Sequence, residues 1–203
     1  SLSYNNLALL YSNTQRYTQA EKMYKQAIEI FERLAKESPA AFEPDLAQSY
    51  NNLASLYRAT QRNTEAEQMY KQAIEILERL AKESPAAFEP KLADSYNNLA
   101  LLYSDSQRNT EAEQMYKQAI EIQERLAKEN PTAFEPDLAT SYNNLAILYF
   151  IADRYLESKE RYKQAIEIYK KLKSKNKRTY KSDIRKIKLN LILMKVLEFL
   201  DKT

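Results

Sequence analysis

The chain has 203 residues, of which 44% are hydrophobic and 29% are charged, so it has enough apolar material for a folded core. It contains no cysteine, histidine or glycine, which excludes disulfides, thiolate and imidazole metal sites, and glycine-rich phosphate loops. The net charge of +3 is unevenly distributed, because residues 170–203 hold twelve basic and three acidic side chains and the remainder is mildly acidic.

These absences remove most of the groups that enzymes use. Carboxylates are plentiful, but they alternate with lysines on predicted exposed helix faces, which is typical of a solvated surface. No apolar run reaches the roughly 18 residues of a membrane span, and no signal peptide opens the chain. We therefore predict a protein that is not an enzyme, has no cofactor, metal or membrane span, and is cytoplasmic by default.

A repeat of 46 residues organises most of the chain. The stretch "SYNNLA" begins at Ser3, Ser49, Ser95 and Ser141. A fixed period of this size predicts a solenoid, in which each unit buries its apolar face against its neighbours. We predict four units over residues 1–173, the first truncated at its N-terminus. Because the chain opens partway through a unit, we interpret it as part of a longer protein.

Each unit is predicted to contain two helices, A and B. In the second unit, helix A is expected to begin at Pro44, since proline suits the first helical position. Helix B is expected to begin at a capping box formed by Thr64 and Glu67 and to end before Pro85. Apolar residues recur in both helices at steps of three and four: Leu46, Tyr50, Leu53, Ala54, Tyr57, then Ala66, Tyr70, Ala73, Ile74, Leu77, Leu80, Ala81. The short turn between A and B predicts antiparallel packing.

The last 30 residues continue the period in a weaker form. Residues 174–203 are predicted to form a basic linker and a capping helix, which is a degenerate fifth helix A. Asp183, Ile184, Asn190 and Leu191 fall where the second unit has Asp45, Leu46, Asn52 and Leu53. Further apolar residues are too many for one buried face and predict a second contact, with a partner or another domain: Ile192, Leu193, Val196, Phe199, Leu200.

The helix pair resembles a tetratricopeptide repeat. That family prefers aromatic, leucine and small residues at set spacings, and the first unit has Tyr4, Leu7, Ala8, Tyr11, Ala20, Tyr24 and Ala27. Alanine replaces the family's usual glycine, and the unit is longer than 34 residues. The "NNLA" motif and the long helix B resemble those of kinesin light chain repeats. The resemblance implies a right-handed α-solenoid of antiparallel helix pairs, whose helix A polar faces line a concave partner-binding groove.

On a helical wheel, Asn51 and Asn52 flank the polar face of helix A. The resemblance implies a ladder formed by the first asparagine of each pair, which would hold the backbone of an extended peptide, since an amide both donates and accepts. The predicted groove residues are Asn5, Asn51, Asn97, Asn143, Gln48, Arg58, Asp94, Leu101, Asp105, Ile147 and Phe150. The alternative is that asparagines fix the angle between units. This role is expected mainly of the second asparagine of each pair: Asn6, Asn52, Asn98 and Asn144.

In the fourth unit, the same face carries Ile147, Phe150 and Ile151. These residues form either an apolar pocket for a ligand side chain or a surface that the terminal helix covers. The second interpretation is favoured.

The leading hypothesis is a protein-interaction module with a protein or peptide partner. The alternative assigns function to the basic, apolar C-terminal helix, through self-association or through binding of nucleic acid or an anionic surface. Nucleic acid is disfavoured, because only Tyr180 lies among the lysines and a stacking platform needs more aromatic residues.

Overall fold

The structure is a computed structural model that describes residues 2–175 and 180–200. All of the secondary structure in these ranges is helical, and the helices are α1 (Leu2–Asn13), α2 (Tyr17–Glu37), α3 (Pro39–Ala59), α4 (Asn63–Glu83), α5 (Pro85–Asp105), α6 (Asn109–Glu129), α7 (Pro131–Ile151), α8 (Tyr155–Lys175) and α9 (Lys181–Leu200). Residues 176–179 of the predicted linker and the side chains of Phe199 and Leu200 lie outside what is described.

Helix A begins earlier than the sequence predicts. In the second repeat α3 begins at Pro39, and Pro44 lies inside the helix, so the expected start at Pro44 is wrong. The amides of Ala41 and Phe42 bond to the carbonyl of Ser38, which closes the first turn. Pro44 removes only the hydrogen bond that would reach the carbonyl of Ala40, an exposed residue that water can solvate.

The predicted capping box of helix B is also wrong. The residue before α4 is Arg62, and no side chain caps the helix start. Glu67 accepts a hydrogen bond from the hydroxyl of Tyr103 in the next helix A instead, at 3.0 Å. A tertiary partner has therefore replaced the local one.

The chain forms two compact parts, an N-terminal half of residues 1–106 and a C-terminal half of residues 107–203. In the N-terminal half, every helix packs against the next one in the chain. Ala54, Ala66 and Ala73 are completely buried, and so is Tyr70. The alanines let helix backbones approach closely, while the tyrosine ring fills the space between them.

In the C-terminal half the same repeat positions are buried, which confirms the predicted all-α solenoid of antiparallel helix pairs. Ala146, Tyr162 and Ala165 have no exposed surface. Ser158 stands where the other repeats have alanine, and its hydroxyl donates to the carbonyl of Ala146 at 2.7 Å. The substitution is tolerated because the buried hydroxyl is satisfied.

Helix α9 packs against α8 as a capping helix. Ile184, Ile187 and Met194 are buried, at 8%, 1% and 0% exposure. The amide of Asn190 donates to the hydroxyl of Tyr162 at 2.8 Å, which satisfies a polar group at the end of a fully buried side chain. The degenerate register recognised in the sequence therefore still places apolar residues on the inner side of this helix.

Helix α3 ends in a Schellman motif without glycine. The amide of Arg62 bonds to the carbonyl of Tyr57 at 2.8 Å and that of Gln61 to Arg58 at 3.0 Å. Gln61 has a φ of 60°, the left-handed region that favours glycine. The Arg62 guanidinium lies 4.1 Å from the Tyr57 ring centroid, where the motif commonly has an apolar contact. Equivalent positions with positive φ are Gln15, Gln107 and Asp153.

Candidate functional site

The A helices present one open face in each repeat. From Leu46 to Ala59 in α3, and at the equivalent positions of α5, the residues that are not buried all lie on one side of the helix. We call these residues the open face of the N-terminal half: Gln48, Asn51, Asn52, Ser55, Arg58, Ala59, Asp94, Asn97, Asn98, Leu101, Ser104 and Asp105. The exposure pattern agrees with the polar face that the helical wheel predicts.

In the first two repeats, the first asparagine of the pair joins neighbouring A helices. The amide nitrogen of Asn51 donates to the hydroxyl of Ser95 at 2.8 Å, and that hydroxyl donates to the carbonyl of Lys91. Asn5 makes the same bond to Ser49, also at 2.8 Å. The side-chain oxygens of both asparagines are buried and accept no hydrogen bond among the described residues. A structural contact thus occupies part of the amide in two members of the predicted ladder, Asn5 and Asn51.

The second asparagine of the pair lies further from the helix contact. Asn52 is half-buried, and its side-chain oxygen accepts a hydrogen bond from the amide of Gln48 at 3.0 Å, within α3. Asn6 is exposed on α1. The alternative sequence interpretation gave the second asparagine the contact between repeats, whereas in α1 and α3 the first asparagine makes it.

Other open-face groups also contact one another. The hydroxyl of Ser55 lies 3.0 Å from that of Tyr70, and burial raises the pKa of this tyrosine. Arg58 pairs with Asp105 of the next A helix, with Nε 3.3 Å from Oδ2. Because the pair brings together opposite charges, the end of this face where α3 and α5 terminate carries little net charge.

The open face of α7, in the C-terminal half, is more apolar. It consists of Thr140, Asn143, Asn144, Ile147, Phe150 and Ile151. Ile147 and Phe150 are half-buried, and the Phe150 ring centroid lies 5.9 Å from that of Tyr155. Ile151 is 62% exposed, so the expectation that the terminal helix covers all three residues is wrong for Ile151. Tyr155, which belongs to α8, shields part of Phe150.

Clusters of glutamate, tyrosine and arginine tie neighbouring repeats together, and sequence reasoning missed them. Glu21 accepts from the hydroxyl of Tyr57 at 3.0 Å and from Arg62 at 2.8 Å. In the C-terminal half, Glu113 accepts from Tyr149 at 2.9 Å and from Arg154. The recurring triplet, with tyrosine 36 residues and arginine 41 residues after the glutamate, is the signal that could have revealed it.

These clusters change the proton affinity of their members. Burial alone would raise the pKa of Glu113, but hydrogen bonds from Arg154, Lys117 and Tyr149 outweigh it and lower the pKa to about 2. Burial and the bond to Glu113 raise the pKa of Tyr149 to about 12. The carboxylate is therefore ionised and the phenol neutral at neutral pH, as a structural cluster requires.

Two of the cavities that the described residues form lie away from the open faces. One, of about 430 Å³, is lined by residues of α1 and α2, including Tyr4, Gln26 and Arg33. The other, of about 350 Å³, is lined by residues of α6, α7 and α8, including Leu138 and Gln164. Neither contains a predicted groove residue.

Metal and membrane signals are absent from the described residues. Within 2–175 and 180–200, no three acidic side chains gather to hold a metal ion. None of the helices described has both the length and the apolar character needed to cross a bilayer.

Comparison with known proteins gives a family and several similar structures. No curated protein matches the sequence. BtubC (BKLC) from P. vanneervenii, known from a crystal structure, is 27% identical in sequence to this chain and superposes with a TM-score of 0.71. The match covers 83% of this chain and 63% of that one. The apo form of RapI is 16% identical, with a TM-score of 0.68, and the match covers 85% of this chain and 56% of that one.

MamA is 18% identical, with a TM-score of 0.58, and the match covers 84% of this chain and 79% of that one. The likeness to RapI and MamA shows the fold alone. The chain spans less than two thirds of the length of BtubC and RapI. A family model described as tetratricopeptide repeat matches residues 1–79, 45–125 and 92–171. With its helix pairs, buried small residues and 46-residue period, the chain belongs to the tetratricopeptide repeat family.

Proposed function

We propose that this chain is a protein-interaction module whose open face binds an extended peptide segment of a partner. The observation that supports the proposal best is the continuous row of accessible side chains on α3 and α5, on helices that are otherwise packed. Membership of the tetratricopeptide repeat family supports a scaffold that binds proteins. The proposal has two further parts: that the repeats are of the kinesin light chain subtype, and that a ladder of asparagines holds the peptide.

The chemistry of the open face suits a peptide backbone. Gln48, Asn52 and Ser55 are uncharged and carry donors and acceptors, which match the N–H and C=O groups of an extended chain. Since Arg58 and Asp105 pair with each other, long-range attraction would contribute little, and we expect affinity to change little with salt.

The proposed ladder uses the first asparagine of each repeat. Asn51 has a second amide hydrogen beyond the one that it gives to Ser95, and its side-chain oxygen has no partner among the described residues. A small rotation of this amide would present both atoms to a ligand backbone. Asn5, Asn97 and Asn143 are the repeat equivalents in this ladder.

A selected peptide can test the ladder directly. Linear peptides would be selected from a random library on the wild-type chain, and the affinity of one of them would be measured by calorimetry. Replacement of Asn51 by alanine removes hydrogen bonds to the peptide and should weaken binding by about threefold to tenfold. The double change Asn51→Ala/Asn97→Ala should weaken it further.

Ser95→Ala is the matched control, because it removes the same contact between helices and leaves the Asn51 side chain in place. Retained affinity in Ser95→Ala supports a direct role for Asn51. Equal losses in Ser95→Ala and Asn51→Ala would mean that Asn51 acts only through helix packing. If Gln48→Trp leaves the peptide affinity unchanged, the peptide binds elsewhere and the open face is not the site.

A further inference from the structure

Helix α9 has two apolar sides, and only one of them is buried. Ile184, Ile187 and Met194 lie on the side that packs against α8. On the opposite side Leu189, Ile192, Leu193 and Val196 are 66%, 60%, 46% and 49% exposed. Their spacing of three and four residues places them in one stripe that spans an arc of about 100° on the helix. We call these four residues the α9 stripe.

Cations border the α9 stripe. Lys186 lies at one edge and Lys188 at the other, while Arg185 lies one turn before Leu189 in line with the stripe, and all three are exposed. Asp183 is half-buried and lies on the other side of the helix, toward α8. Among the side chains of α9 that the structure describes, none on the exposed side is acidic. The exposed side is therefore both apolar and cationic.

The charge pattern discriminates between possible occupants. A parallel contact between two copies of α9 would bring the cations of both copies together, which costs free energy, and an antiparallel contact would meet no acidic side chain among those described on the exposed side. Nucleic acid would use the cations but leave four apolar side chains without a partner. A single strand would also need aromatic rings for stacking, and Tyr180 already stacks on Tyr169, with ring centroids 5.5 Å apart.

An anionic bilayer surface matches both properties. Apolar residues of an interfacial helix insert at the boundary between headgroups and acyl chains, and flanking lysines reach the lipid phosphates and carboxylates. Clusters of four to eight basic residues on such a helix are typical of binding to anionic lipids. Residues 170–203, with twelve basic and three acidic side chains, extend this positive charge along the sequence.

We propose that the exposed side of α9 binds the surface of an anionic lipid bilayer, with the α9 stripe inserted at the headgroup level and Arg185, Lys186 and Lys188 on the anionic headgroups. This site is separate from the open face of the A helices, and it does not depend on the peptide-binding proposal.

Vesicle co-sedimentation of the full chain tests the proposal. The vesicles would contain phosphatidylcholine alone or phosphatidylcholine with phosphatidylserine. We expect binding only to the phosphatidylserine vesicles and progressive loss of binding as sodium chloride is added. Arg185→Gln/Lys186→Gln/Lys188→Gln should weaken binding by roughly a hundredfold, the effect of three cations near an anionic surface. Lys36→Gln/Lys82→Gln/Lys128→Gln removes the same charge from helices α2, α4 and α6 and should have a much smaller effect.

The apolar contribution has its own variant and control. Ile192→Ser/Leu193→Ser should weaken binding by about tenfold, because less apolar surface leaves water. Leu9→Ser/Leu10→Ser changes another exposed consecutive pair, at 51% and 57% exposure on α1, and should leave binding unchanged. All of these side chains are exposed, so the circular dichroism of each variant should match the wild type.

Four results would overturn the proposal. Equal binding to neutral vesicles would show that charge does not select the surface, and equal losses in the control variants would show that α9 is not the site. A dimer that binds no vesicles and dissociates in Ile192→Ser/Leu193→Ser would assign the α9 stripe to self-association. Salt-sensitive binding to a DNA or RNA oligonucleotide without vesicle binding would assign the cations to nucleic acid.

Discussion

At the scale of single residues, Glu113 joins three parts of the C-terminal half. It accepts from Tyr149 of α7 and from Arg154 in the turn before α8, and Lys117 of its own helix lies 2.6 Å away. The Arg154 guanidinium also stacks over the Tyr149 ring, 4.2 Å from its centroid. Since the folded protein holds the pKa of Glu113 near 2, despite burial that alone would raise it, folding favours the ionised carboxylate.

The depressed pKa predicts a specific dependence of stability on pH. Because the pKa is lower in the folded state, this stabilisation is complete above about pH 4.5 and is lost as the pH falls toward 2. Glu113→Gln should therefore lower the urea midpoint at neutral pH, and its difference from wild type should shrink below pH 4.5. Glu121→Gln, on an exposed position of the same helix, is the control. A difference from wild type that is independent of pH would contradict the assignment.

At the scale of helices, the repeat made most of the fold predictable. The three- and four-residue steps identify the buried tyrosines and alanines because a helix buries one side, whatever its neighbours are. The start of helix A was not predictable, since Pro39 and Pro44 each carry the signal of a first helical position. The contacts of Asn51 and Glu67 were not predictable either, because a helical wheel gives the direction of a side chain and not its partner. The partner of Asn51 is 44 residues away in the sequence and that of Glu67 is 36 residues away.

The same limit applies to the candidate site. The wheel predicted which side of α3 is accessible, and the exposed fractions agree with it. It did not predict that Arg58 pairs with Asp105 on the next A helix, because that requires knowing how two helices pack together. The peptide-binding roles of the groove residues remain predictions.

The helix ends provide a test of stability. Gln61 holds a φ of 60° that costs an ordinary residue about 1–2 kcal/mol. Gln61→Gly should therefore raise the free energy of unfolding by about 0.5–1 kcal/mol, after allowance for the greater freedom of glycine in the unfolded chain. Gln72→Gly, at an exposed position inside α4, should lower it by about 1 kcal/mol. Urea unfolding measures both, and a loss of stability in Gln61→Gly would show that the glutamine side chain stabilises the turn.

At the scale of the whole molecule, the same contact recurs from repeat to repeat. The hydroxyls of Tyr50, Tyr96 and Tyr142 donate to Glu32, Glu78 and Glu124, each 18 residues earlier. Burial and the bonded carboxylate raise the pKa of all three tyrosines. The three pairs share no residue, so their contributions to stability should be independent.

Independence predicts additive losses. Tyr50→Phe, Tyr96→Phe and Tyr142→Phe should each lower the free energy of unfolding by about 1–2 kcal/mol, as expected for hydrogen bonds to charged groups. The triple variant should equal the sum within about 0.5 kcal/mol for each pair of sites. Tyr17→Phe, at an exposed tyrosine, should cost little. A triple variant far from the sum in urea unfolding would show that the sites are coupled.

The repeated cluster of Glu21 with Tyr57, and of Glu67 with Tyr103, has a consequence for how such a chain can change length. Both junctions use the same residue types in the same register. The order of the repeats along the chain therefore determines which tyrosine each glutamate meets, because the contacts themselves are chemically the same at both junctions. Removal of one 46-residue block between these junctions should therefore still leave a matched tyrosine opposite the remaining glutamate.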